Sequence, residues 1–379
     1  MQVYFDNAAT TPLYPEVIQK VSDALKKYYG NPSSTHHLGR KSRTAIELAR
    51  KEISSFIGAN PQEIIFNSGG TEGINSIFYS AFHDLKVQRI ITSKIEHHAV
   101  LHCLPIHDKK IEIQYVTIGS NGLIDLGSLE HLLAQPKGKT LVSLMHVNNE
   151  IGTITDLKKC GQICAKHQSL FHTDAVQSIG KLSIDVKECH ITFLTASAHK
   201  FHGPKGVGFL YIKRNSGIKA QILGGAQERG IRAGTESVHN ILGMSLALKL
   251  SYQQLDQNLK HISRLKARFI SRLKGMFKEL IINGIEENEH LGLPHICNVT
   301  LPIPRKKIPL LGFKLDMKGI ACSQGSACQS GAPKGSHVLD ELQKDSKDEF
   351  PSFRFSFSKF NTVQEIDYVL KSLKDIVSD

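Results

Sequence analysis

From residue 60 to residue 212 the chain alternates short apolar runs with amphipathic stretches, and that alternation narrows the fold more than any other feature. Residues 63–67, 89–93, 141–147, 169–174 and 191–194 are mostly apolar and predict buried strands, with helical spacing between them over 74–82 and 155–167. Strands and helices that alternate in this way build a mainly parallel sheet covered on both faces. Upstream, the spacing predicts helices over 15–29 and 40–57, the second stopped by Gly58. Residues 240–280 predict a long helical connector. Beyond residue 284 the elements shorten: 296–301 and 353–357 predict strands, and 310–315 fits strand or helix equally. The expected fold class is α/β. A large domain over 15–250 surrounds a mainly parallel central sheet, and a smaller α+β domain combines 1–14 with 251–379.

Composition excludes several classes. No apolar segment of the 379 residues is long enough to span a bilayer, so no membrane partner is expected. The first residues carry neither a basic region nor an apolar core of a signal peptide. Seven irregularly spaced cysteines do not form a disulfide framework, which points to a reducing cytoplasm. The net charge of +12 is scattered, densest at Arg305-Lys306-Lys307, with no aromatic-interleaved basic stripe. A solvated surface is therefore expected rather than a nucleic-acid face, and an acidic protein partner would also suit such charge.

The chemistry gathers at the predicted strand ends, where open α/β sheets bind ligands. Lys200 follows the 191–194 run and a set of small residues, and precedes a Gly/Pro-rich turn. A lysine so crowded can serve as an amine nucleophile, although a surface lysine before a turn fits that stretch alone as well. Asp174 ends the neighbouring run. A pyridoxal phosphate site needs this pair, a lysine for the aldehyde and an acid opposite the pyridine nitrogen. Ser68-Gly69-Gly70-Thr71-Glu72-Gly73 between strand and helix makes either a phosphate cradle or a plain turn. Glu96-His97-His98 and Asn148-Asn149-Glu150 stand after two further runs. Cys160, Cys164 and His167 share a helix face, a spacing that suits core packing better than a metal. Residues 221–236 are a glycine- and arginine-rich loop. In the small-residue stretch 321–335, Cys328 is either an exposed reactive thiol or an incidental loop cysteine; Cys322, at its entrance, is expected to be packed and inert.

Together these motifs resemble one family. Asp6-Asn-Ala-Ala-Thr-Thr-Pro, Tyr29-Gly-Asn-Pro-Ser-Ser, Ser93-Lys-Ile-Glu-His, His146-Val-Asn-Asn-Glu, His172-Thr-Asp-Ala-Val-Gln, Ser197-Ala-His-Lys, Gly224-Gly-Ala-Gln-Glu-Arg, Gly325-Ser-Ala-Cys and Arg354-Phe-Ser are similar to the cysteine desulfurases of the NifS/IscS type. These belong to the class V aminotransferase branch of fold-type-I pyridoxal phosphate enzymes. The resemblance runs from Tyr4 to the end of the chain. It implies that Lys200 holds the cofactor and moves the substrate's Cα proton, Asp174 pairs with the ring nitrogen, and Gln177 touches the ring hydroxyl. His97 would stack on the ring, with His98 one position off the match, and Asn149 rather than Asn148 would lie near it. Gly70, Thr71, Ser197 and His199 would hold the phosphate, joined by Thr235 from the other subunit of a homodimer. Arg354 with Asn31 would bind the carboxylate of L-cysteine, and Cys328 would take the sulfur as a persulfide.

The partner so implied is a sulfur-acceptor protein, an iron–sulfur scaffold or a tRNA-thiolation protein. No resident metal is implied, and a transient iron–sulfur contact at Cys328 is compatible with the resemblance. Two departures stand out. The sequence ends at Asp379, shortly after the last expected helix, where the resemblance leads one to expect the scaffold-docking tail of housekeeping members, and Cys322 adds a second thiol upstream of the nucleophile. Two rivals remain. A lyase or aminotransferase for another small amino acid, selenocysteine included, has no need of Cys328. An inactive binding scaffold has no need of Lys200, Asp174 and Arg354 together.

Overall fold

The computed structural model describes residues 1–104, 111–286, 290–303, 310–324, 335–343 and 350–378. Its largest sheet has seven strands in the order Ile64–Asn67, Gly208–Ile212, Phe193–Ser197, Leu170–Asp174, Thr140–Ser143, Arg89–Thr92, Glu112–Tyr115. Gly208–Ile212 runs antiparallel to both neighbours, and the other pairings are parallel.

Alternate residues of these strands enter two different cores, as the two-residue period of a strand requires. Ile64, Phe66, Val142, Phe171, Leu194, Phe209 and Tyr211 pack on one face, against helices Pro15–Lys27, His37–Phe56 and Val238–Gln253 among others. Ile65, Ile90, Leu141, Phe193, Leu210 and Ile212 pack on the other, against Gly70–His83. Because both faces are covered, the strands read as continuous apolar runs.

A third core lies on a four-stranded antiparallel sheet, Ser323–Gln324, Ser352–Ser356, Ile296–Thr300 and Ile281–Asn283. Helices Leu255–Met276 and Val363–Ser378 cover it, and Phe5, Phe269, Phe355 and Phe357 interlock in edge-to-face contacts. The first strand, Val3–Tyr4, pairs in parallel with Ile320–Ala321 and brings the start of the chain to this sheet.

Several expected boundaries move. The lysine-bearing strand is Phe193–Ser197, so Thr195, Ala196 and Ser197 belong to it. Gly70–His83 crosses close above Thr195: a Cβ on Gly73 would sit 2.8 Å from Thr195 Cγ2. The helix after the Ser68–Gly69 turn starts at Gly70 instead of Ile74. The strand expected to reach residue 147 ends at Ser143. The long connector is two helices broken at Gln254, because the first half packs Met244 and Leu248 into one core and the second packs Ile262, Leu265 and Phe269 into another. Residues 310–315 fall mostly within the helix Leu311–Met317. Cys160 and Cys164 point into the core, burial pushes both thiols up, and His167 bonds Glu130 Oε1 at 2.8 Å.

Candidate active site

The carboxyl ends of the parallel strands open into a cavity of about 500 Å³. Asp174 is the last residue of its strand and Lys200 ends the 3-10 turn that follows Ser197. His97 caps the short helix His98–Leu101, and Gly70 and Thr71 begin the helix Gly70–His83. Gly70, Thr71, His97, Asn149, Asp174, Gln177, Ser197, His199, Lys200 and Arg354 all line this one cavity.

Gly69 lines this cavity and Gly208 packs against its backbone. Gly69 has φ 145°, which favours glycine, and allows the strand to turn straight into the helix. A Cβ on Gly208 would lie 2.3 Å from Ala196 O and 2.7 Å from Gly69 Cα, so no other residue lets these backbones meet. The first N–H groups of Gly70–His83 therefore stand at the cavity edge with no helical carbonyl to receive them, an anion-binding end.

Lys200 Nζ donates to Ala8 O and Ala9 O, both at 2.7 Å, so the N-terminal segment closes one wall. Gln177 Nε2 donates to the same Ala8 carbonyl at 2.8 Å. Asp174 is 6% exposed. Burial raises its carboxyl to about 6, against the pull of the Val176 N–H and the Lys200 charge. His97 is held down to about 4, first by burial and then by Lys200 and its histidine neighbours, so its ring is neutral at pH 7. Its Nδ1 accepts from Ala99 N at 3.1 Å, which leaves the ring proton on Nε2. Burial likewise holds His199 at about 4.

Arg354, 2% exposed, comes from the small sheet. Its Nη1 donates to Asn149 O at 2.9 Å and its Nη2 to Asp6 Oδ1 at 2.9 Å and Ser323 Oγ at 3.0 Å. Its buried Nε has no hydrogen-bond partner among the described residues. The fork is thus fixed at its far end and retains a free donor.

Three expected site residues are not gathered here. Asn31 is an exposed loop residue that accepts from Ser33 N at 2.9 Å. Thr235 lines a separate cavity of about 180 Å³ that shares Ser68 and Gly206 with the first. Cys328 lies outside the described residues. Asn148 is turned into the protein, where its Oδ1 accepts from Glu150 N and Ile151 N. His98 stacks between His102 and His337, at 4.8 and 4.4 Å between ring centres. Sequence reasoning missed Asp6 and Ser323 as holders of Arg354, and the Ala8 and Ala9 carbonyls; only the position of Asp6 in an N-terminal motif hinted at any of them.

Replacing Asp174 measures how far this site is strained toward a ligand. Its folded-state pKa lies above its unfolded value, so its contribution to stability is present below pH 4 and lost as pH rises through about 6. Asp174→Asn is expected to stabilise the cofactor-free protein by about 3 kcal/mol at pH 8, and hardly at all at pH 4. Thermal melts of the two proteins at both pH values check this. An Asn variant that is less stable at pH 8 would show that the carboxylate is held by interactions other than those described.

Comparison with known proteins places the chain in familiar surroundings. The family model "Aminotransferase class-V" matches residues 3–369. A cysteine desulfurase IscS of Dictyoglomus turgidum is 40% identical over 379 residues, covering 99% of this chain and 94% of that protein. A solved structure of a NifS-like protein superposes with a TM-score of 0.90 at 35% identity, each chain fully covered. A structure of SspA in complex with cysteine superposes with a TM-score of 0.79 at 29% identity, covering 95% of this chain and 100% of that one.

Proposed function

The chain belongs to the class V aminotransferase family, and from that premise we propose that it is a pyridoxal phosphate-dependent cysteine desulfurase, which turns L-cysteine into L-alanine and passes the sulfur to Cys328. The observation that carries the reading is the convergence of Lys200, Asp174 and Arg354 on one cavity, together with relatives named for this activity over nearly the whole chain. The residues present fit the cofactor. The buried Asp174 carboxylate, which accepts from Val176 N at 3.0 Å, suits a protonated ring nitrogen. The free N–H groups at Gly70 and Thr71, bare of a Cβ at Gly69 and Gly70, suit a phosphate.

Pyridoxal phosphate, when bound, supplies an aldehyde and an electron-poor ring that accepts the electrons left by a departing Cα proton. Lys200, whose Nζ donates to the Ala8 and Ala9 carbonyls, would hold that aldehyde and take the proton. Asp174 keeps the ring nitrogen protonated. His97, neutral with its proton on Nε2, would pack on the ring and could hand a proton on. Ser197 and His199 would join Gly70 and Thr71 in holding the phosphate, and Gln177 and Asn149, which line the same cavity, would contact the ring. Thr235 would reach the phosphate of the other subunit in a homodimer. Arg354 fixes the substrate carboxylate, with Asn31 reaching it only after a rearrangement of its loop. The Cys328 thiolate attacks the substrate sulfur: an S–S bond forms, the C–S bond breaks, and its electron pair stays with the carbon that becomes alanine. An acceptor thiol then takes the outer sulfur. The acceptor serves iron–sulfur assembly or tRNA thiolation. Among the described residues no helix is long and apolar enough to cross a membrane, and we place the reaction in the cytoplasm.

The purified protein, supplied with the cofactor and a thiol reductant, is expected to release alanine and sulfide from L-cysteine in equal amounts. Pyruvate and ammonia in place of alanine would indicate a lyase that eliminates. Amino transfer to a keto acid would indicate a transaminase, and a protein that stays colourless and inert would be a scaffold.

A further inference from the structure

Behind the cavity, four residues beyond Gln177, lies a second lysine that the reaction as described does not use. Lys181 is 6% exposed. No carboxylate lies within ion-pair reach of its Nζ among the described residues. Its side-chain hydrogen bond, to Gln177 Oε1 at 3.2 Å, is made to a neutral group. Beside it is an enclosed space of about 20 Å³, room for one water, bounded also by Asn7, Tyr14, His202 and His295. A buried charge without a counter-charge destabilises a fold and usually serves something else.

The hydrogen bonds say what it serves. An ammonium has only donors, so the Gln177 atom facing it is the oxygen; a carbonyl has only acceptors, so the atom facing Ala8 O is the nitrogen. Both contacts fix the carboxamide the same way round. One N–H of Gln177 Nε2 is bonded to Ala8 O, and the other is left for the cavity that Gln177 lines. Lys200 Nζ bonds the same Ala8 oxygen at 2.7 Å, so Lys181, Gln177, Ala8 and Lys200 form one chain of contacts. We propose that Lys181 is a positioning residue. It holds the Gln177 carboxamide with an N–H toward the oxygen of the cofactor ring, and its charge disfavours a proton on the Lys200 nitrogen. The depressed ionisation of Lys181, to about 7 through burial and then repulsion by Lys200 and Arg354, is the same coupling seen from the other end.

The proposal rests on the cofactor being joined to Lys200. Among the described residues, the other ionisable groups lining the cavity with Lys200 are Glu72, His97, Asp174, His199, Lys205 and Arg354. All remain when Lys181 is changed, so their effect cancels in a comparison. Lys181→Met fills the same space without charge or donor, and Lys181→Gln retains a donor without charge. In the cofactor-loaded protein, the pH midpoint of the visible absorbance change is expected to rise in both variants, most if it lies below about pH 7, where Lys181 carries its repelling charge. Lys181→Met, but not Lys181→Gln, is expected to hold the cofactor several-fold more weakly in dialysis. The cofactor-free Lys181→Met protein is expected to melt no lower than wild type, because removing an unpaired buried charge relieves the fold. An unchanged midpoint in both variants, or variants that do not fold, would overturn the proposal while leaving the proposed function standing. A wild type with no visible band would overturn both.

Discussion

Cys328→Ser is expected to lower sulfide release from L-cysteine by at least about a thousandfold while the cofactor stays bound and its spectrum still responds to the substrate. The size of the effect follows from the other six cysteines, which offer no substitute. None of them lines the cavity. Burial raises Cys103 and Cys297 to about 11, and Cys160 and Cys322 to about 12, and pushes Cys164 and Cys189 up as well. At pH 8 a thiol that ionises near 12 is about one part in ten thousand thiolate, and the thiolate is the nucleophile. Cys322, six positions upstream of Cys328, packs against the core of the small sheet instead of standing ready as a second carrier. The decisive reading is a single turnover with labelled cysteine: sulfur retained on the wild-type chain after denaturation, and none on the variant. A variant that releases sulfide as fast as wild type would establish a lyase that leaves its own thiols out of the chemistry.

How much of this site could be read in advance depended on whether a residue's chemistry shows in its letter. Lys200 and Asp174 stood out because a charged group after an apolar run is unusual, and both indeed lie at adjacent strand ends around the cavity. The Gly69–Gly70 turn was legible for the same reason, although the helix begins there four residues earlier than its apolar spacing suggests. What escaped was carried by groups every residue has. Ala8 and Ala9 hold Lys200 through carbonyl oxygens, and nothing in an alanine announces that. The end of the lysine-bearing strand was hidden because Thr195, Ala196 and Ser197 look like a loop until the helix that crosses over Thr195 and the strand Gly208–Ile212 beside them are in place. The break at Gln254 was hidden because helical spacing continues on both sides and only the cores entered by each half differ. Lys181 reads as one more positive charge among many, and only its burial separates it from the rest.

Arg354→Lys is expected to weaken saturation by L-cysteine by about a hundredfold or more, and saturation by cysteamine, which lacks the carboxylate, hardly at all. The guanidinium is immobilised before substrate arrives. Asn149 O, Asp6 Oδ1 and Ser323 Oγ hold its Nη atoms, and Ser323 Oγ is itself bonded to Asp6 Oδ1 at 2.7 Å. Its Nε, buried and without a hydrogen-bond partner among the described residues, is the donor of this fixed fork that remains for a carboxylate. A lysine keeps the charge but is a point donor on a flexible stem. It can satisfy Asp6 or the substrate, not both. Comparing the two ligands on the two proteins closes a cycle. If Arg354 acts on the carboxylate, the loss on deleting that group from the ligand and the loss on changing the arginine are the same loss, and the doubly altered pair shows little more than either alone. If the arginine instead serves only to join the small sheet to the N-terminal segment through Asp6, both ligands weaken equally in the variant and the melting temperature falls with them. The carboxylate grip is then lost as an explanation, and the buried Nε would need another occupant.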